Sequence, residues 1–99
     1  MSKLRQSARG EDCLVRIPGI CTHDPSTVIL SHARWGSAGR GKSIKALDLA
    51  SAYCCVACDS VYDGQTKPPP GMTRAEVDAD WCQGHFRTLV RMRDKGLIS

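Results

Sequence analysis

Two cysteine pairs bracket a histidine: Cys13 and Cys21 lie upstream of His32, and Cys55 and Cys58 lie downstream. The Cys55-Val56-Ala57-Cys58 turn points two sulfurs at one place. Two thiolates arriving from Cys13 and Cys21 would close a tetrahedral set of the kind that holds structural Zn²⁺. Such a staple fixes two distant pieces of chain and holds rigidly whatever lies between them, here residues 28–35. His32, on that stretch, is a candidate general base. Asp59 follows Cys58 directly, and Asp63 comes one helical turn later on the same face. A histidine facing two carboxylates that share a cation is the minimal equipment for metal-assisted phosphodiester hydrolysis. Taken singly, each has a plainer role: His32 as a hydrogen-bonded core residue, Asp59 and Asp63 as helix-end and surface charges. The combination favours the chemistry. His85, one turn after Trp81, is a further catalytic candidate, with packing as an equal alternative. His23, beside Asp24 and Pro25, reads as an exposed loop residue.

The bounds set by size support a staple. A chain of 99 residues with two Trp, two Tyr and one Phe makes one domain, 1–99, with a modest core. A bound metal supplies stability that burial alone does not. Six cysteines also allow three disulfides, but residues 1–10 are charged and polar and hold no apolar export signal. The expected setting is therefore the cytoplasm, where thiols stay reduced. No apolar run reaches transmembrane length, so no membrane partner is expected. The net charge of +4 suits an anionic partner, yet many proteins are as basic without one.

The elements that must position these residues follow from pattern. Residues 2–8 read as a short helical lead-in that ends at Gly10, and Ile17-Pro18-Gly19 marks the turn between the first two cysteines. Residues 27–35 read as a strand with Val28, Leu30, His32 and Arg34 on one face. A glycine-rich loop over 37–43 leads to a second strand over 47–53, and a short helix starts near Cys58 and ends before Gly64. Three prolines make 67–71 a loop. Thr73 and Glu76 form a capping box that opens the longest helix, which runs to about Lys95 and stops at Gly96. Its expected buried stripe is Ala75, Ala79, Cys82, Phe86, Leu89 and Val90. That makes Cys82 a core residue, and Cys54 reads as a spare core thiol. The stripe could pack internally or against a second copy, which leaves a homodimer open.

Gly36-Ser37-Ala38-Gly39-Arg40-Gly41-Lys42-Ser43 satisfies the P-loop pattern. A nucleotide-hydrolysing fold needs a parallel sheet with several crossover helices, which the remaining 56 residues do not hold. The stretch reads instead as a basic loop, solvated or touching phosphates through Arg40 and Lys42.

A strand bearing a histidine, a second strand, then Cys-x-x-Cys opening a helix with acidic residues resembles the HNH nucleases of the ββα-metal class that carry a four-cysteine zinc site. Over nearly its whole length the chain resembles the YbcO-like nuclease family of prophages and phages. The matching stretches are Ala8-Arg9-Gly10, Cys13 through Cys21, Leu30-Ser31-His32-Ala33-Arg34, Cys55-Val56-Ala57-Cys58, Asp63, Arg87-Thr88 and Gly96-Leu97-Ile98. The resemblance implies an α+β, zinc-stabilised ββα-metal (HNH-like) domain with an N-terminal helical lead-in and a long C-terminal helix. It further implies an endonuclease that hydrolyses DNA, with His32 as general base and the helix after Cys58 supplying Asp59 and Asp63 to a catalytic Mg²⁺ or Mn²⁺. Two departures bear on activity: Ser31 stands where HNH proteins commonly have Asp, and Asp59 where they commonly have His. Asp48 is the candidate for the place of the motif's middle Asn, at a spacing to Cys55 longer than usual.

Nucleic-acid contacts are expected from Arg34, Arg40, Lys42 and Arg87. Arg91 and Lys95 continue the face of Arg87 and read more simply as ordinary charged surface, and Trp35 reads as core rather than as a base-stacking ring. The rival function is a catalytically silent zinc module that binds DNA or a protein.

Overall fold

The computed structural model describes residues 3–39 and 47–99. Helix α1 (Lys3–Ser7) leads into the segment carrying Cys13 and Cys21. A short 3₁₀ turn at Pro25–Thr27 then opens β1 (Val28–His32). Strand β2 (Ser51–Cys55) runs straight into α2 (Val56–Tyr62), and a proline-rich loop leads to α3 (Arg74–Asp94). This is a small α+β domain with a two-stranded sheet and a long C-terminal helix.

β1 and β2 pair antiparallel, with Leu30 opposite Tyr53 and His32 opposite Ser51. Ala33 N–H donates to the Ala50 carbonyl at 2.8 Å. The hydrogen-bonded pairs are therefore Ala33/Ala50, Ser31/Ala52 and Ile29/Cys54, and the backbone groups of Ser51, Tyr53 and Cys55 point away from β1. Each finds a partner there. His85 Nδ1 donates to Ser51 O at 2.7 Å. Tyr53 N–H donates to Thr88 Oγ1 at 2.8 Å, and Leu14 N–H donates to Tyr53 O at 2.9 Å. Cys55 N–H meets the Cys13 sulfur. The outer edge of β2 is thus where α3 and the first cysteine segment dock.

Helix α3 starts as its capping box requires: Glu76 N–H donates to Thr73 Oγ1, and Thr73 N–H donates to Glu76 Oε1. It ends in a Schellman turn, with Gly96 at φ +75° and Leu97 N–H donating to Met92 O. The face it buries is not the expected one. Val77, Trp81, Gly84, Thr88 and Met92 are buried, whereas Ala75 and Ala79 are exposed and Phe86 is 60% and Val90 48% exposed. Counting apolar residues misled because two buried positions hold residues that score as non-core. Gly84 is there for space, since a Cβ on it would lie 2.8 Å from Val15 Cα. Thr88 is there for its hydroxyl, which accepts from Tyr53 N–H and donates to Gly84 O at 2.7 Å, so nothing polar is left unpaired.

The strand expected over 47–53 begins four residues later. Residues 47–50 form a turn in which Ala50 N–H donates to Leu47 O at 2.8 Å, and Leu47 and Leu49 stay exposed. That turn presents Asp48 to the end of β1. The described part of the P-loop-like stretch is a short 3₁₀ turn, Gly36–Ala38, closed by Gly39 at φ +91°. The described sheet is one antiparallel pair, unlike the parallel sheet a P-loop enzyme requires. No helix among the described residues is long and apolar enough to cross a membrane.

Gly84→Ala tests the packing of α3. In an exposed helix interior the change would stabilise by about 1 kcal/mol. Here the Cβ meets Val15 backbone, so a loss of about 1–3 kcal/mol is expected in chemical denaturation. Unchanged or raised stability would mean that α3 does not sit on Val15.

Candidate metal centre and histidine site

The sulfurs of Cys13, Cys21, Cys55 and Cys58 all lie within 4.8 Å of one another. Three of the four cysteines are buried and Cys21 is half-buried. The two cysteine turns aim backbone N–H groups at these sulfurs: Arg16 and Cys55 at Cys13, His23 at Cys21, Cys58 at Cys55, and Ile17 at Cys58. To do so Arg16 and His23 take left-handed backbone, φ +58° and +54°, a conformation that costs non-glycine residues. Converging sulfurs that each receive N–H donors suit a thiolate-bound metal, and the donor set fits Zn²⁺.

Hydrogen bonds from Cys54 and Cys58 hold the Cys13 thiol well below the usual thiol range. The Cys13 contact pushes Cys58 up, and the contacts to Cys13 and Cys58, with burial, push Cys54 up. Burial pushes the Cys21 thiol up to about 11. Protons must therefore leave Cys21 and Cys58 when a metal binds, so uptake strengthens as pH rises. Cys54 is fully buried and outside the four-sulfur group, and Cys82 is half-buried and also outside it.

His32 Nε2 lies 2.8 Å from Asp48 Oδ1, with the His32 side chain only 12% exposed. A carboxylate only accepts, so Nε2 carries the hydrogen in this contact, and in a neutral ring the lone pair is then on Nδ1. Arg5 Nε lies 3.2 Å from the same Asp48 oxygen. The carboxylate that meets His32 is therefore Asp48, and not Asp59 or Asp63 as the spacing suggested. The reason is strand alternation, which turns Ser31 to the other face. There Ser31 Oγ donates to Asp59 Oδ1 at 2.6 Å and accepts from Trp81 Nε1 at 3.0 Å. Asp63, exposed at the C-cap of α2, accepts from Gln65 Nε2.

His85 stacks on Trp81 with centroids 5.8 Å apart and spends Nδ1–H on Ser51 O. Trp81 also stacks on Tyr62 at 4.6 Å, and Trp35 packs edge-on to both. Trp35 is thus engaged in packing. His23 is exposed, with Nδ1 3.7 Å from Cys21 Sγ.

The arginines expected to meet nucleic acid are largely engaged elsewhere. Arg34 pairs with Asp78 at 3.3 Å and lies over the Tyr62 ring. Arg74 pairs with the same Asp78 and donates to the Val61 and Tyr62 carbonyls at the end of α2. Arg87 donates to Leu14 O at 2.8 Å. Arg91 pairs with Glu11 at 2.8 Å, and Lys95 reaches Glu11 Oε2 and Ser7 O. The basic face of α3 is accordingly a clamp on the N-terminal segment. Arg40 and Lys42 lie outside the described residues.

A small α+β domain with a four-cysteine centre between its N-terminal segment and a β–α turn is the class these features define. The chain belongs to the YbcO family: the profile of the family described as "Putative nuclease YbcO" matches residues 2–97. The chain is 43% identical over 104 residues to "Putative nuclease YbcO" of Escherichia coli strain K12, covering 99% of this chain and 98% of that protein. The same figures hold for "Putative nuclease ybcO" of Enterobacteria phage 82. A solved structure described as "a putative bacteriophage protein" from Escherichia coli K-12 MG1655 superposes with a TM-score of 0.76 at 31% identity. It covers 95% of this chain and 100% of that one.

Two measurements check these assignments. Cys58→Ser is expected to lower zinc content in elemental analysis and to drop the Tm by about 10 °C or more, whereas Cys82→Ser leaves both unchanged. Equal metal content in the two variants would dismiss the centre. For the clamp, hydrogen bonding from Arg91 holds the Glu11 carboxyl below its usual value. Its stabilisation is therefore present above the ordinary carboxylate range and is lost as pH falls below it. Glu11→Gln should cost about 1 kcal/mol at pH 7, and the cost should shrink as pH falls below the ordinary carboxylate range, in denaturation midpoints. A difference independent of pH would exclude the ion pairs as its source.

Proposed function

We propose that this protein is a metal-dependent endonuclease that hydrolyses DNA phosphodiester bonds in the bacterial cytoplasm, with an HNH-like, ββα-metal site on a single zinc-stabilised domain, 1–99. The observation that carries the reading is His32 held through Nε2 by Asp48, on a strand lying between the two cysteine pairs. Membership of a family described as nucleases supports it.

In this reading Nδ1 of His32 takes the proton of the attacking water, and Asp48 orients the ring and steadies the imidazolium that forms. The water oxygen bonds to phosphorus as the bond to the leaving oxygen breaks. Asp59, on α2 and bonded to Ser31 on the face opposite His32, and Asp63, the C-cap of α2, are the carboxylates this reading gives to a hard cation such as Mg²⁺ or Mn²⁺. That ion, when bound, offsets the negative charge that develops on the phosphate oxygens. His85, whose Nδ1 is committed to Ser51 O and whose ring stacks on Trp81, is assigned a supporting place.

One observation favours the rival reading, a silent zinc module that binds DNA or a protein. Ser31 and Asp59 occupy the places where HNH proteins carry metal ligands, and here they bond to each other. Plasmid nicking by zinc-loaded protein with added Mg²⁺ or Mn²⁺ separates the two. The nuclease reading expects His32→Ala to lower the rate about 10²–10⁴-fold and Asp48→Ala to lower it less, with zinc content retained. Nicking that survives His32→Ala removes His32 as the base, and folded protein that binds DNA without cutting it establishes the silent module.

A further inference from the structure

We propose that the groove between the end of α1 and the outer edge of β1 seats the sugar-phosphate backbone of the nucleic acid, with Arg9 as its phosphate contact. This rests on the reading of His32 as the residue that faces the scissile phosphate. The groove has a volume of about 670 Å³, and its lining includes Arg5, Arg9, Gly10, Leu30 and His32. Two guanidinium groups and the histidine thus share one depression.

Arg9 is singled out by what the other arginines do. Among the described residues, Arg5 pairs with Asp48, Arg34 and Arg74 with Asp78, Arg91 with Glu11 and Arg93 with Asp94. Arg16 donates to Cys13 O and Arg87 to Leu14 O. The Arg9 side chain is exposed and has no hydrogen bond or ion pair among the described residues. A guanidinium presents a planar fork of donors that matches phosphate. Arg9 is held in place by its backbone, whose N–H donates to Gln6 O at 3.2 Å. Gly10 follows at φ +75°, and a Cβ built there meets nothing within 4 Å, so the wall is low where Arg9 stands.

The strand edge contributes as well. The register that turns the backbone of Tyr53 toward α3 turns that of Leu30 and His32 away from β2. The outer edge of β2 is consumed by Leu14, Thr88 and His85, while the outer edge of β1 lines the groove. The rest of the lining is Ser26 with the apolar Val28 and Ile29, the last 40% exposed. A cationic rim over an apolar floor suits a backbone of alternating phosphate and sugar, and the contact would be insensitive to base sequence. Arg5 in this arrangement is a positioning residue that holds Asp48 against His32.

Fluorescence anisotropy of a labelled oligonucleotide, with zinc-loaded full-length protein and no added Mg²⁺ or Mn²⁺, tests the groove apart from cleavage. Arg9→Ala should weaken binding about tenfold and lower the slope of log Kd against log salt by about one, with an unchanged Tm. Arg9→Lys should keep the slope, and Arg93→Ala, on α3, should keep both. Affinity and slope unchanged in Arg9→Ala overturn the proposal, and so does a wild-type protein that does not bind the oligonucleotide. Parallel nicking assays keep the two readings apart. If binding is lost in Arg9→Ala but the wild type never cuts, the groove stands and the nuclease reading falls. If the wild type cuts and Arg9→Ala binds as well as it does, the groove falls and the nuclease reading stands.

Discussion

Convergence of four sulfurs within 4.8 Å is the constraint on which the rest depends. Cys55 is the last residue of β2 and the N-cap of α2, so the centre fixes the angle at which strand becomes helix. Cys13 receives the Cys55 N–H, which lays the N-terminal segment along the outer edge of β2. With no more than two Trp, two Tyr and one Phe, the chain buries its rings economically: Trp35, Tyr62 and Trp81 pack together beneath α2 and α3, and Tyr53 is fully buried in the sheet. A metal such as Zn²⁺ held by the four cysteines would tie this small core to the N-terminal segment, where hydrophobic burial alone is modest.

Strand β1 then sorts the polar residues into two networks. Alternation sends His32 to Asp48 and Arg5 on one face and Ser31 to Asp59 and Trp81 on the other. The first network sets His32 in the lining of the groove that Arg5 and Arg9 also line. In the second, the Ser31 hydroxyl donates to Asp59 and accepts the indole N–H of Trp81. Two adjacent residues of one short strand therefore have different chemical prospects, and the difference comes from the period of the strand.

Charge is used for architecture as much as for recognition. The Arg87, Arg91 and Lys95 face of α3 holds Leu14 O, Glu11 and Ser7 O, which keeps α1 and the first knuckle against the helix. Arg74 caps the end of α2 while sharing Asp78 with Arg34. These contacts join segments 70 to 90 residues apart in sequence, apart from the α2 cap and the pairs on Asp78, and they spend cations that composition alone would assign to an anionic ligand.

Local features were legible from residue types. The capping box of Thr73 and Glu76, the stop at Gly96 and the turn at Gly19 rest on short-range stereochemistry, and the four-cysteine set and the histidine on a strand between its pairs were legible from residue type and spacing. The family, too, was readable in the motifs around those cysteines. What tertiary structure decided were the partners. Which face α3 buries turned on Gly84 meeting Val15 and Thr88 meeting Tyr53, contacts across 69 and 35 positions that no helical period encodes. Which carboxylate reaches His32 turned on the 47–50 turn, which carries Asp48 to the strand, while alternation took Asp59 to the opposite face. Side-chain chemistry is written residue by residue, but the pairing of one group with another is set only when the backbone closes around the shared centre.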